Sequence, residues 1–249
     1  MFRVAIITTL MISSFHIRVD SLFSFINNVK RPLSSFNSIE STALDSSFGM
    51  DRVGMDRDRY LFGKAEDFQK LGVTMDLHKA LEAIGKGKAT SIQASSFPSI
   101  ISGKDTVIAA ETGSGKTLAY LVPLFHKILE GTTISSVYYP SVIVLTPNKE
   151  LCAQVDRMAK EIVSSLAKYD RVVTTEVASS FIGRWPYHDK KMAPSILICT
   201  PSYIAKYVKG PIIIDEDLFR NVRHIVLDEA DMLFDGSYIR DVENVLGKH

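Results

Sequence analysis

Two short stretches carry residue types that can act on a phosphorylated substrate. Ala110 to Thr117 reads A-E-T-G-S-G-K-T. Gly113 and Gly115 let the backbone curl so that several N–H groups face one anion. Lys116 adds a cation able to reach the β- and γ-phosphates of a nucleotide, and Thr117 a hydroxyl suited to Mg2+. The second stretch, His224 to Asp231, reads H-I-V-L-D-E-A-D. Its apolar half delivers Asp228 and Glu229 to the carboxyl end of a strand. A carboxylate there can hold Mg2+ opposite Thr117, and the next one can orient and deprotonate an attacking water. The two stretches supply complementary parts of one MgATP site. Ala110, Glu111, Thr112, Gly113, Ser114, Gly115, Lys116, Thr117 and Asp228 are its binding candidates, Lys116 and Glu229 its catalytic ones, Thr117 and Asp228 its metal ligands. Ala110 stands where the general phosphate-loop pattern has a first glycine.

Such residues need elements that converge. Thr106–Ala110 (T-V-I-A-A) is an apolar run before the glycine-rich turn, and Lys116–Leu129 reads as the helix after it. Ser141–Leu145, Arg171–Val177, Ser195–Cys199 and Asn221–Leu227 are further strand candidates. Met75–Ile84, Glu150–Leu166, Ser202–Val208 and Tyr238–Leu246 have helical spacing of apolar residues. Near-continuous apolar strands alternating with amphipathic helices predict an α/β fold, a parallel sheet flanked by helices. Ligands of such sheets bind at the carboxyl ends of the strands, where both stretches fall.

Composition narrows the alternatives. The chain has 249 residues, enough for one domain with appendages. It carries 29 basic and 28 acidic residues, a net charge of +1, which excludes a histone-like mode of binding but not a local basic groove. Only two cysteines occur, Cys152 and Cys199, so a disulfide framework and a four-cysteine zinc site are excluded. No apolar run is long enough for a multi-spanning membrane protein.

Residues 1–60 differ from the rest. Arg3 precedes an apolar stretch, Val4 to Ile17, and a serine-rich, acid-poor segment follows. This pattern reads as a disordered leader and linker, an organelle transit peptide first, with a plain N-terminal extension or a secretory signal as the alternatives. The expected location is therefore a chloroplast or mitochondrion, with cytoplasm or nucleus as the alternative. Residues 61–249 form the folded body.

With D-E-A-D at Asp228 to Asp231 and A-E-T-G-S-G-K-T upstream, the chain resembles the first RecA-like domain of DEAD-box ATP-dependent RNA helicases from about Phe68 to its end. D-M-L-F-D-G-S-Y, Asp231 to Tyr238, is similar to plant organellar members in particular. The resemblance implies a RecA-like P-loop NTPase domain, ATP and Mg2+ as cofactors, and single-stranded RNA or a short duplex as partner, with no membrane. Gly85, Thr90, Ile92 and Gln93 match the family's adenine-reading segment. The resemblance implies that Gln93 bonds the adenine edge and that Phe68 packs on the ring. Lys86 and Ala89 depart from that segment's expected aromatic residue and proline. Pro147, Asn148, Lys149, Thr200 and Pro201 occupy positions that contact RNA in the family, although Asn148, Lys149, Ser202 and Tyr203 stand for threonine, arginine, glycine and arginine. Gly183 is the nearest candidate for a glycine pair expected between these segments.

No Ser-Ala-Thr triplet follows the acids before His249. The resemblance therefore leads us to expect a sheet whose last strands are missing. For the chain as given it implies MgATP binding with slow hydrolysis and no unwinding. The alternative is a non-catalytic half that binds ATP, RNA or a partner. Other phosphate-loop enzymes fit less well, because neither the lid and substrate arginines of a nucleotide kinase nor the signature of a transporter ATPase can be located.

Overall fold

Runs such as Val142–Leu145, Ile196–Cys199 and Ile225–Leu227 have no polar residue at alternate positions, and every one of their residues is buried. That pattern belongs to strands covered on both faces. The structure, a computed structural model, describes residues 3–9, 66–110, 112–131, 140–169, 175–178, 194–209, 222–234 and 237–246. The expected leader beyond Thr9, Glu111 and the Gly183 segment lie outside the described residues.

In chain order the elements are β1 (Arg3–Thr9), β2 (Glu66–Asp67), α1 (Met75–Ala83), β3 (Lys88–Ala89), α2 (Ser91–Ile101), β4 (Thr106–Ala110) and α3 (Lys116–Gly131). Then come β5 (Val142–Leu145), α4 (Lys149–Leu166), β6 (Thr175–Ala178), β7 (Ile196–Cys199), α5 (Pro201–Lys209), β8 (His224–Leu227), α6 (Ala230–Leu233) and α7 (Ile239–Leu246). Six strands form one sheet in the order β4-β1-β8-β5-β7-β6, with every pair parallel. The short β2 and β3 pair antiparallel beside it.

Strand period sorts the core into two layers. Val142, Val144, Ile196, Ile198 and Val226 pack with α1 to α4, while Ile143, Leu145, Leu197, Cys199, Ile225 and Leu227 pack with α5 to α7. Neighbouring residues on one strand thus serve opposite layers, and neither position tolerates a polar residue. Cys152 and Cys199 are both buried, and burial pushes both thiols up from their usual range, so they act as small core residues.

One expectation changes. Arg3–Thr9 falls within the expected leader, but it is a strand inside the sheet, between β4 and β8. The reason is physical: an apolar run rich in β-branched residues suits a buried parallel strand as well as a leader's apolar core, and composition does not separate the two. Replacing Ile225 of β8 by alanine should cost about 3 kcal/mol in urea unfolding, from lost burial and the cavity left behind. Met232→Ala, at a site 45% exposed, should stay within about 0.5 kcal/mol of the parent.

Candidate functional site

The phosphate loop links the carboxyl end of β4 to the amino end of α3. Gly113 (φ 82°) and Gly115 (φ 91°) occupy the left-handed region, which costs other residues strain. Gly115 has a second constraint, since a Cβ there would lie 2.4 Å from Gln93 Nε2. Lys116 Nζ donates to the Ala110 carbonyl oxygen at 3.0 Å, so the ammonium bridges the two ends of the loop. Thr112 and Gly113 are exposed, and Ser114 and Thr117 are half-buried.

The first turn of α2 braces the loop from outside. Thr90 Oγ1 donates to the Ser114 carbonyl at 3.0 Å, and Gln93 Nε2 donates to the Gly115 carbonyl at 3.1 Å. Gln93 Oε1 in turn accepts the Thr90 N–H at 2.9 Å, a reciprocal cap of the helix start. Gln93 is 3% exposed. Its amide is bonded to the backbone of Thr90 and of the phosphate loop. Phe68 is 1% exposed and packs in the core with Leu77 and Leu81. Its place in this structure is therefore a buried one.

The acids arrive on β8. The Asp228 N–H donates to the Leu145 carbonyl at 2.9 Å, which ties the turn to the end of β5. One carboxylate oxygen, Oδ1, accepts the Glu229 N–H at 3.0 Å, and the other, Oδ2, accepts the Tyr120 hydroxyl at 2.8 Å. Burial pushes the Asp228 carboxyl up to about 6; the neighbouring Glu229 charge adds to this, while the Tyr120 hydrogen bond and the Lys116 ammonium oppose it. Glu229 is half-buried and sits at φ 52°, ψ 52°, where it starts α6. It is the one non-glycine with positive φ among the described residues. Left-handed backbone at a carboxylate costs energy that the surrounding fold supplies, a pattern common in functional turns.

Tyr120 is the site residue that sequence reasoning missed. It is fully buried, and burial together with the Asp228 carboxylate pushes its phenol well up, so it stays a proton donor. Tyr120 therefore ties α3, the helix that follows the loop, to the acid turn of β8. The signal lay in spacing: Tyr120 follows Thr117 by three residues and Lys116 by four, so all three share one helix face. Thr117 and Asp228 are hard oxygen donors, which suits Mg2+ completed by phosphate and water. Among the described residues no cluster of three or more His, Cys, Asp or Glu could hold a metal by itself.

The expected RNA-contacting residues lie at the same end of the sheet. The Thr146 N–H donates to the Cys199 carbonyl at 3.0 Å, joining the ends of β5 and β7. Asn148 caps α4 by accepting the Leu151 N–H at 2.9 Å, and Lys149 is exposed in that first turn. Pro147 and Pro201 are buried and Thr200 is half-buried. Thus β8, β5 and β7, neighbours in the sheet, place Asp228, Thr146–Lys149 and Thr200–Pro201 side by side.

Residues 90–249 match the family described as DEAD/DEAH box helicase. The chain is 37% identical over 174 residues to DEAD-box ATP-dependent RNA helicase 16 of Oryza sativa subsp. japonica, covering 67% of this chain and 25% of that one. It is 36% identical over 183 residues to the Arabidopsis thaliana protein of the same name, covering 72% of this chain and 29% of the relative. These matches span about a quarter of the relatives' length. Among solved structures, a DEAD box protein from the hyperthermophile Methanococcus jannaschii aligns with a TM-score of 0.57 and 29% identity, over 73% of this chain and 46% of that one.

Two outcomes follow from the Asp228 geometry. Tyr120→Phe removes a hydrogen bond to a charged group, so the Mg2+ concentration giving half-maximal binding of a fluorescent ATP analogue should rise about tenfold. Binding of the analogue without metal should barely change. In the metal-free chain the raised Asp228 value means that the folded state keeps a proton the unfolded state has released. Stability from this group is therefore fully present at low pH and is lost as pH rises from about 4 through about 6. The melting temperature of the parent relative to Asp228→Asn should rise by several degrees, on the order of 3 kcal/mol, between pH 7 and pH 4.

Proposed function

The chain belongs to the DEAD/DEAH box helicase family, and from that premise we propose that it binds MgATP between the phosphate loop and the Asp228–Glu229 turn, and RNA along the adjoining strand ends. It thereby supplies the nucleotide-binding part of an ATP-dependent RNA helicase. One observation carries the reading. The loop, the acids and the expected RNA-contacting turns stand at the carboxyl ends of one parallel sheet, with Tyr120 tying the first to the second.

The loop's backbone N–H groups and the amino end of α3 bind the phosphates, because both present partial positive charge. Lys116 adds a full charge near the β- and γ-phosphates. A Mg2+ ion held by Thr117 and Asp228 supplies charge neutralisation on the phosphate oxygens. Glu229 orients a water at the γ-phosphate and accepts its proton at a carboxylate oxygen. On the RNA side, the capped start of α4 and the exposed Lys149 suit a phosphate group, and the Thr200–Pro201 turn at the start of α5 suits the next one. Contacts of this kind follow the backbone and carry no base sequence, so single strands and short duplexes of any sequence are the expected ligands.

Binding measurements on the purified 249-residue chain test the reading. A fluorescent ATP analogue should bind saturably with Mg2+, and Lys116→Ala should weaken it by at least about tenfold. Lys149→Glu should weaken binding of single-stranded RNA several-fold at low salt and leave ATP affinity unchanged. An absence of saturable nucleotide binding, or equal loss of ATP binding from both substitutions, would reject the assignment.

A further inference from the structure

The phosphate loop and the acids sit on strands that do not touch. β4 carries the loop, β8 carries Asp228 and Glu229, and β1 lies between them. Ala5 to Thr9 pair with Thr106 to Ala110, and Arg3 to Ile6 pair with His224 to Leu227. Among the described residues, β4 has no other partner in the sheet. Every backbone hydrogen bond that fixes the loop's strand against the acid's strand therefore passes through residues 3–9. Strands pair about 4.8 Å apart, so β1 holds β4 and β8 at roughly twice that spacing.

We propose that residues 3–9 are a bridging strand of the nucleotide site, which sets the distance between the phosphate loop and Asp228. The local sequence suits this place. Val4, Ile6, Ile7, Thr8 and Thr9 are β-branched, the residue type that fits an interior parallel strand. The register puts Thr8 and Thr9 level with Ala109 and Ala110, at the ligand-binding end of the sheet. Without β1, the facing edges of β4 and β8 keep unpaired N–H and C=O groups. Water then separates the two strands, or β4 moves inward by one strand spacing to pair with β8. Either change breaks the alignment in which Tyr120 on α3 reaches Asp228 at 2.8 Å. The N-terminal segment is thus a working part of the site, and a cut that releases it disables the site without touching a phosphate-loop residue.

The bridging role stands apart from the identity of the nucleotide, whereas the effect on affinity rests on the MgATP reading. The tests separate the two. In the full chain, Ala5→Cys with Thr106→Cys places two cysteines at paired positions of neighbouring strands, whose spacing of about 4.8 Å falls in the Cα range that a disulfide spans. Mild oxidation should cross-link this double variant and neither single one, since the native Cys152 and Cys199 are buried. Ile6→Pro removes a ladder N–H from an interior strand. It should accelerate amide hydrogen exchange in β4 and β8 at least tenfold, with a smaller effect in β6 and β7, and weaken binding of the ATP analogue about tenfold or more. If Ile6→Pro fails to fold, the cross-link decides. A folded double variant that does not cross-link, or unchanged exchange in β4 and β8, overturns the bridge. Faster exchange with unchanged ATP affinity overturns its role in the site. A parent chain that cross-links in variant form but binds no ATP refutes the nucleotide reading alone.

Discussion

A carboxylate placed at the end of a buried parallel strand loses most of its hydration. Asp228 meets this constraint with a hydrogen bond on each oxygen, one from the Glu229 N–H and one from the Tyr120 hydroxyl. Its own N–H is bonded to the Leu145 carbonyl. These three bonds fix one charged group relative to α3, β5 and β8 together. Burial still dominates, which is why the carboxyl titrates near 6 and why the ionised form costs stability until a cation arrives. On the proposed MgATP reading a bound Mg2+ would offset that burial, and the rest of the arrangement follows from keeping the carboxylate both buried and reachable.

The bracing of the phosphate loop obeys a similar logic. A loop that wraps a phosphate must hold its N–H groups inward while its carbonyls find partners elsewhere. Thr90 and Gln93 take the Ser114 and Gly115 carbonyls, and Lys116 takes that of Ala110. Gly115 lies so close to Gln93 that no side chain fits between them. The segment that the family resemblance assigns to adenine thus also shapes the phosphate loop. A substitution at Gln93 would act on phosphate binding through the backbone as well as on base preference.

Several neighbouring turns share the end of the sheet. Thr146 bonds Cys199, and Asp228 bonds Leu145, so the turns after β5, β7 and β8 are mutually hydrogen-bonded. A shift in one is passed to the next through short, buried contacts. On the proposed reading, this connection links the nucleotide site to the surface where Lys149 stands exposed.

Much of this was legible in the sequence because it depends on local periodicity and residue chemistry. The apolar runs at Thr106–Ala110 and Ser141–Leu145 fall on β4 and β5, and α3 and α4 start within a residue of their expected positions. The G-S-G-K-T turn and the D-E-A-D strand end identified the chemistry, since cation, hydroxyl and carboxylates stand at contiguous positions. Three features depended on contacts between residues far apart in the chain. Tyr120 lies 108 residues from Asp228, and although spacing puts it on the helix face of Lys116 and Thr117, nothing local points to Asp228 as its partner. Phe68 lies in the same buried cluster as Leu77 and Leu81, a placement that depends on packing and not on its near neighbours. Arg3–Thr9 has the composition of a leader and of a buried strand alike. Only the open hydrogen-bonding edges of β4 and β8, brought together by the tertiary fold, determine that it is a strand. The sequence by itself thus determined the chemistry and the class of fold, because both are written in near neighbours; the tertiary structure decided which distant groups meet, because burial and hydrogen-bond pairing act across space and not along the chain.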